Sequence, residues 1–303
     1  LHVFWPMCNS NDAPPEVRLY VDLKVSFANT PKHILYASGA NGEEARRLIA
    51  MSAMVAGGEE ELRRRPIMSS VQTTIAPLQL DGPMMDGAFA FGAAGVPVSI
   101  FTMPTPGATG PVTLAGSVTV AAMEFLSGLV VCRLANPGSP MIWGCGVTPL
   151  DMKTTTRAGG APEHGLTGVA ITQLAHSFGV PSLCGGFDTT APTLGTQSAI
   201  EGFPQALSVV LGGADLIVGL GLLDVRSLGE ARHRLPDVLL VLDLLGPQLL
   251  EELADVRVLH VLQGGVEVVV GLVLGLERDL EGLPWRHEDA GLPRVRRLHV
   301  LDH

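Results

Sequence analysis

The chain has 303 residues, 47% of them hydrophobic, and a formal net charge of −10 at pH 7. That is enough apolar material for one large cored domain, and a single α/β barrel needs about 250 residues. The acidic balance repels nucleic-acid phosphate and anionic membrane surfaces, which excludes both as partners and leaves small molecules or other proteins.

Short apolar runs recur along the chain, each followed by a small-residue loop and then a helical pattern. Residues 1–31 read as an N-terminal extension. Ile34–Ala37 reads as a strand. Gly42–Gly57 reads as a helix, with Glu43 and Glu44 in a first turn that favours negative charge. A second strand is expected at Pro66–Val71 and a third at Val96–Thr102, where Pro97 fits only a strand start. Between them and the next strand, Pro111–Leu134 repeats apolar residues at helical spacing, with Pro111 near its first turn and Asn136-Pro137-Gly138 as the stop. Further strands are expected at Pro140–Cys145, Pro181–Gly185 and Asp215–Gly219, with helices at Glu163–Phe178 and Gln197–Leu211 between them. Strands alternating with helices, and strands apolar on both faces, predict a buried parallel sheet. The expected architecture is an α/β (β/α)8 TIM-type barrel, truncated or irregular at its C-terminal end. A doubly wound sheet is the rival, weakened by the lack of any GxGxxG loop after a strand.

The chain changes character after Asp224. From Val218 to His303 there is no Ile, Met, Thr, Asn, Lys, Phe, Tyr or Cys. Codons for the first five all begin with A, so two readings stand for the tail, residues 225–303: GC-rich DNA read out of frame, or a Leu-rich α/β segment. Residues 32–224 form the core region. Four cysteines, Cys8, Cys132, Cys145 and Cys184, make no CxxC pair, which removes zinc-finger and thioredoxin readings. They fit a reducing compartment, so a cytoplasmic location is expected. The opening residues carry no signal peptide and no starting Met, so a fragment is expected. The most apolar stretches, Ala206–Leu223 and Val261–Leu276, are broken by Asp215, Gly264, Gly265 and Glu267, which argues against a membrane helix.

In an α/β barrel the chemistry sits at the C-terminal ends of the strands. Those positions hold Gln72; Met103, Gly107, Thr109 and Thr113; Gly146 and Thr148; Phe187 and Asp188; and Gly221. The loops are rich in Gly, Thr and Pro and poor in strong acid–base groups, and no GxSxG elbow occurs. Such a site suits a reaction whose hard step a cofactor carries. Asp188 is the leading catalytic candidate, weighed against a loop-capping role. Gln197 is a substrate-orienting candidate, weighed against a solvent-facing one. N-capping explains Thr109 and Thr113 equally well, a plain turn explains Gly107, and core packing explains Trp143 and Phe187. Cys145, His164 and Cys184 lack diagnostic metal spacing, so no metal is expected. His176 reads as a helix-surface residue, and Glu59–Arg65 as a solvated connection.

Several separated segments resemble the trimethylamine/glycine-betaine corrinoid methyltransferase family. They are Val55–Ser69 (VAGGEEELRRRPIMS), Met103–Gly116 (MPTPGATGPVTLAG), Leu134–Pro140 (LANPGSP), Gly185–Asp188 with Gln197, and Ala214–Asp224 (ADLIVGLGLLD). The likeness runs from about Lys32 to Asp224. It implies a barrel enzyme that moves a methyl group from a methylated amine to the cobalt of a corrinoid held by a separate protein. It also implies a chain shortened at both ends, supplying about six of the eight barrel strands. No pyrrolysine is written in the sequence, which favours the betaine-type branch. Cation binding then asks for aromatic faces, here Trp143 or Phe187, or for a carboxylate. Self-association is left open. The alternatives are an inactive truncated barrel, or another barrel enzyme such as a lyase. The latter would want a Schiff-base lysine, and Lys153 lies several residues past its strand.

Overall fold

A computed structural model describes residues 2–6, 10, 12–37 and 39–219. The elements in chain order are β1 (Val3–Phe4), α1 (Pro15–Asn29), β2 (His33–Ala37), α2 (Gly42–Ala56), α3 (Glu59–Arg64), β3 (Met68–Thr73), α4 (Gly82–Ala93), β4 (Val98–Thr102) and α5 (Leu114–Ala135). There follow β5 (Met141–Cys145), a short hairpin of β6 (Leu150–Asp151) and β7 (Thr156–Arg157), α6 (Pro162–Ser177), β8 (Ser182–Gly185), α7 (Thr196–Leu211) and β9 (Leu216–Val218). All the strands expected from the sequence between Ile34 and Gly219 are present. The tail and its reading frame lie outside the described residues.

Seven strands form one parallel sheet in the order β1-β2-β3-β4-β5-β8-β9. The order never reverses, so the sheet has no switch point of the kind a doubly wound fold needs. Parallel crossovers are right-handed as a rule, and in an unreversed order crossovers of one hand put the helices on one face. The large hydrophobic cluster fills the space between that helical layer and the sheet, with Ile34, Met68, Val98, Ile100 and Trp143 supplied by the strands. A second, smaller cluster lies on the other face. Leu35, Val71, Phe101, Ile142 and Leu183 come from five neighbouring strands, and Val3, Trp5, Leu216 and Val218 pack on them from the two edges. The Trp5 and Phe101 rings meet edge to face at 6.0 Å although β2 and β3 lie between their strands. The sheet is therefore curled around its inner face, as a half-barrel is.

Local chemistry explains the helices. Asn41 caps α2 through the Glu43 and Glu44 amides, Glu44 returns a bond to the Asn41 amide, and Gly57 closes the helix in a left-handed turn. Helix α5 starts at Leu114, capped by Thr113, whose hydroxyl accepts from the Gly116 amide at 3.3 Å. Pro111 thus lies in the preceding loop and not in the first turn. Helix α5 is long and apolar enough to cross a membrane. It packs as a core helix, however, through Val118, Ala121, Phe125, Gly128 and Cys132. Its buried Glu124 accepts from Thr74 Oγ1 (2.6 Å) and the Leu78 amide (2.8 Å), fastening the loop after β3.

Helices α1, α3 and α4, strand β1 and the β6–β7 hairpin have no counterpart among the expected elements; Glu59–Arg64, read as a solvated connection, is helix α3 and buries Leu62. In α4, Gly87 and Gly92 look like helix breakers in sequence. Packing requires them: a Cβ at Gly87 would stand 2.0 Å from the Ala40 carbonyl oxygen, and one at Gly92 would stand 2.2 Å from Ser139 Oγ.

Candidate functional site

Parallel strands place their C-terminal ends at one rim, and two loops and a helix there carry the polar side chains that meet. The loop after β5 leads through Thr148 into the β6–β7 hairpin and returns through Gly159 and Gly160 to α6. The loop after β8 carries Phe187, Asp188, Thr189 and Thr190. Helix α7 presents Gln197, Glu201 and Gln205.

Asp188 is the hub. Its Oδ2 accepts from Arg157 Nη2 at 2.9 Å and lies 3.5 Å from His164 Nδ1. Asp188 is 5% exposed. Its Oδ1 is buried and has no hydrogen-bond partner among the described residues. The preceding Phe187 holds a left-handed φ of 66°, which swings the chain off the strand and turns the carboxylate inward. Arg157 Nη2 also donates to Thr148 Oγ1 at 2.8 Å, and that hydroxyl is buried and donates in turn to the Gly146 carbonyl. The guanidinium is thus held by two anchors, yet its side chain stays 44% exposed.

His164 sits beneath, almost fully buried. Burial lowers its pKa, the Asp188 charge opposes that, and the Arg157 charge adds to it, leaving the imidazole neutral at pH 7. Its Nδ1 lies 3.4 Å from the Gly159 carbonyl and its Nε2 is unpartnered among the described residues. Glycines make room for both unpaired atoms. A Cβ at Gly185 would stand 2.7 Å from His164 Nε2, and one at Gly219 would stand 2.6 Å from Asp188 Oδ1.

A second network adjoins the first. Glu201 accepts from Thr189 Oγ1 (2.7 Å), the Thr190 amide (2.8 Å) and Gln197 Nε2 (2.8 Å). Burial alone would raise its pKa, but the bonds from Thr189, Gln197 and Thr190 outweigh it and leave the carboxyl lowered. Gln205 Nε2 donates to the Gly159 carbonyl at 2.6 Å, so the Gly159–Gly160 turn is gripped from both sides.

Of the residues singled out in sequence, Asp188, Thr148 and Phe187 meet here, and Gln197 stands one bond away through Glu201. Met103 and Gly146 adjoin on the rim, where a Cβ at Gly146 would meet Met103 Cγ at 3.1 Å. Gly107, at φ 89°, lies against Met152 of the hairpin, and the Leu150 amide donates to the Pro106 carbonyl at 3.0 Å. Thr109 accepts from the Thr105 amide within its own loop, and Thr113 caps α5. Gln72 and Trp143 point the other way, into the helical layer. Gln72 pairs in register with Ile100 and is buried with both amide atoms unpartnered among the described residues. Trp143 is stacked between Phe125 (4.7 Å) and Phe178 (5.9 Å) and donates to Thr102 Oγ1 at 3.1 Å. Gly221 lies outside the described residues.

Burial raises the Cys184 thiol to about 11 and pushes Cys145 further, so both are protonated at neutral pH. No group of three or more His, Cys, Asp or Glu side chains is placed to hold a metal among the described residues. Sequence reading passed over Arg157, Glu201 and Gln205. Arg157 did leave a signal: between Leu134 and Asp224 the only Lys or Arg residues are Lys153 and Arg157.

The fold and site define a part-barrel α/β protein with a buried, charge-bearing polar site at the C-terminal strand ends. The family described as Trimethylamine methyltransferase (MTTB) matches residues 1–223. The chain is 32% identical to trimethylamine methyltransferase MttB of Desulfitobacterium hafniense (strain DSM 10664 / DCB-2) over 71% of this chain and 43% of that one. It is 34% identical to trimethylamine methyltransferase MttB of Methanosarcina barkeri over 66% and 40% of the two chains. It is 30% identical to the glycine betaine methyltransferase of Desulfitobacterium hafniense (strain Y51) over 70% and 44%. The chain belongs to the trimethylamine methyltransferase family. It spans about two fifths of the length of these curated relatives.

Proposed function

We propose that the protein transfers a methyl group from a methylated amine to the cobalt of a corrinoid carried by a separate protein, in the cytoplasm. Family membership supports methyl transfer, and relatives named for trimethylamine and for glycine betaine support an amine donor. We extend the curled sheet to a full (β/α)8 barrel as the working architecture, since its strand order is that of a barrel.

The observation that carries the reading is Asp188. A buried carboxylate with one oxygen tethered and the other without a partner among the described residues is a negative charge at the reactive rim, suited to a cationic ammonium group. The corrinoid would supply the cobalt nucleophile when docked. This chain's residues do the rest. They hold the ammonium group, fix its orientation and keep water from the methyl group being moved. The exposed apolar side chains Leu78, Met103, Val112 and Met152 all lie on loops of this rim and offer a surface for the corrinoid protein. In the test, the visible spectrum of a reduced corrinoid protein is followed after adding this protein and an amine. A shift to the methylated cobalt form is expected. No shift with trimethylamine, glycine betaine or a related quaternary amine would overturn the reading.

A further inference from the structure

A cation fixed at the rim asks to be explained. Arg157 closes the β6–β7 hairpin, and both its anchors bind one nitrogen, Nη2. Its Nε and Nη1 make no hydrogen bond among the described residues, and the side chain is 44% exposed. Lys153, the other nearby cation, sits at the exposed hairpin tip with no anchor for its ammonium group among the described residues. Arg157 is therefore a preoriented, half-open fork, the geometry that binds carboxylates through two donors. Beside it, Asp188 Oδ1 is buried and has no hydrogen-bond partner among the described residues, and the Gly219 backbone packs close by, where a Cβ would stand 2.6 Å from that oxygen. A fixed positive group thus stands beside a fixed negative one. That pair complements a ligand that itself carries both charges. Asp188 alone answers an ammonium group, and Arg157 beside it adds a partner for a carboxylate on the same ligand.

We propose that Arg157 selects the substrate class: zwitterionic betaines, whose carboxylate is received by Arg157 while the methylated nitrogen lies on the Asp188 side. The inference rests on the methylated-amine reading of this site. Because the guanidinium is held before the ligand arrives, little side-chain freedom is lost on binding.

Titration calorimetry with the purified protein decides it. Glycine betaine is compared with trimethylpropylammonium, which keeps the quaternary nitrogen and lacks the carboxylate. The wild type should bind the betaine about tenfold more tightly or better. Arg157→Met should bring the two affinities within about threefold of each other, and Arg157→Lys should keep part of the preference. Equal binding of both ligands by the wild type, or a preference that survives in Arg157→Met, would overturn the inference and leave the amine reading standing. Failure of the wild type to bind either ligand would overturn both. Should Arg157→Met not fold, Arg157→Lys decides: a reduced preference supports the assignment and an unchanged one overturns it.

Discussion

Arg157 and Asp188, 31 residues apart in sequence, join through a 2.9 Å Nη2–Oδ2 contact that ties the hairpin after β5 to the loop after β8. The contact unites two loops that share no strand, and one partner is buried while the other is half open. Removing the carboxylate therefore has two effects. Asp188→Asn should lower amine-dependent methyl transfer about a hundredfold and destabilise the fold by about 1–3 kcal/mol, since it takes the charge from a buried hydrogen-bonded pair. Turnover and urea unfolding on one preparation measure both; full activity in Asp188→Asn would remove this residue from the site.

Trp143 carries a structural load despite its place near the strand end. Its ring is fully buried between Phe125 and Phe178, and its N–H is satisfied by Thr102. Trp143→Ala should cost about 3–5 kcal/mol, and Trp143→Phe less. Equilibrium unfolding in guanidinium tests this, and a loss below about 1 kcal/mol for Trp143→Ala would contradict the packing account.

Helix α4 lies close to its neighbours only because it lacks side chains at two positions. Gly87→Ala forces a methyl against the Ala40 carbonyl, so despite alanine's better helix propensity it should destabilise by about 1–3 kcal/mol. Gly82→Ala, at the same helix's first residue, meets nothing within 4 Å and should be nearly neutral. Thermal melting of the pair separates steric from intrinsic effects.

His164 makes stability depend on pH. Its folded pKa is lowered, so below about pH 6.5 the unfolded chain takes up a proton that the folded one refuses. Stability is therefore full above that pH. It falls as pH drops through the unfolded value and stops falling only once folded His164 is itself protonated. His33, lowered by burial and opposed by its bond to the Pro66 carbonyl, adds a second increment of the same sign. Urea midpoints between pH 7.5 and 5.5 should fall, less steeply in His164→Gln. An identical slope in that variant would assign the effect elsewhere.

The parallel strands were legible because each is a short apolar run bounded by Pro or Gly, as in Val98–Thr102 and Met141–Cys145. Helix α4 was hidden because glycines chosen for close approach look the same as glycines chosen for turns. The hairpin was hidden because its strands are two residues each, too short for any period to show. In the site, Asp188 could be read from its place after a strand. Its partners could not, since Arg157 and His164 come from a hairpin and a helix start that only the fold brings together. Trp143 shows the converse. A strand end names a position, but the alternation of faces decides whether the side chain meets the rim or the core.

The β6–β7 hairpin contributes no side chain to either hydrophobic cluster. Its sequence can thus drift, lengthen or be exchanged without repacking the sheet. The residue it delivers to Asp188 can change under selection without disturbing the packing of the sheet. A lineage that needed a different ligand at this rim would have an inexpensive place to start.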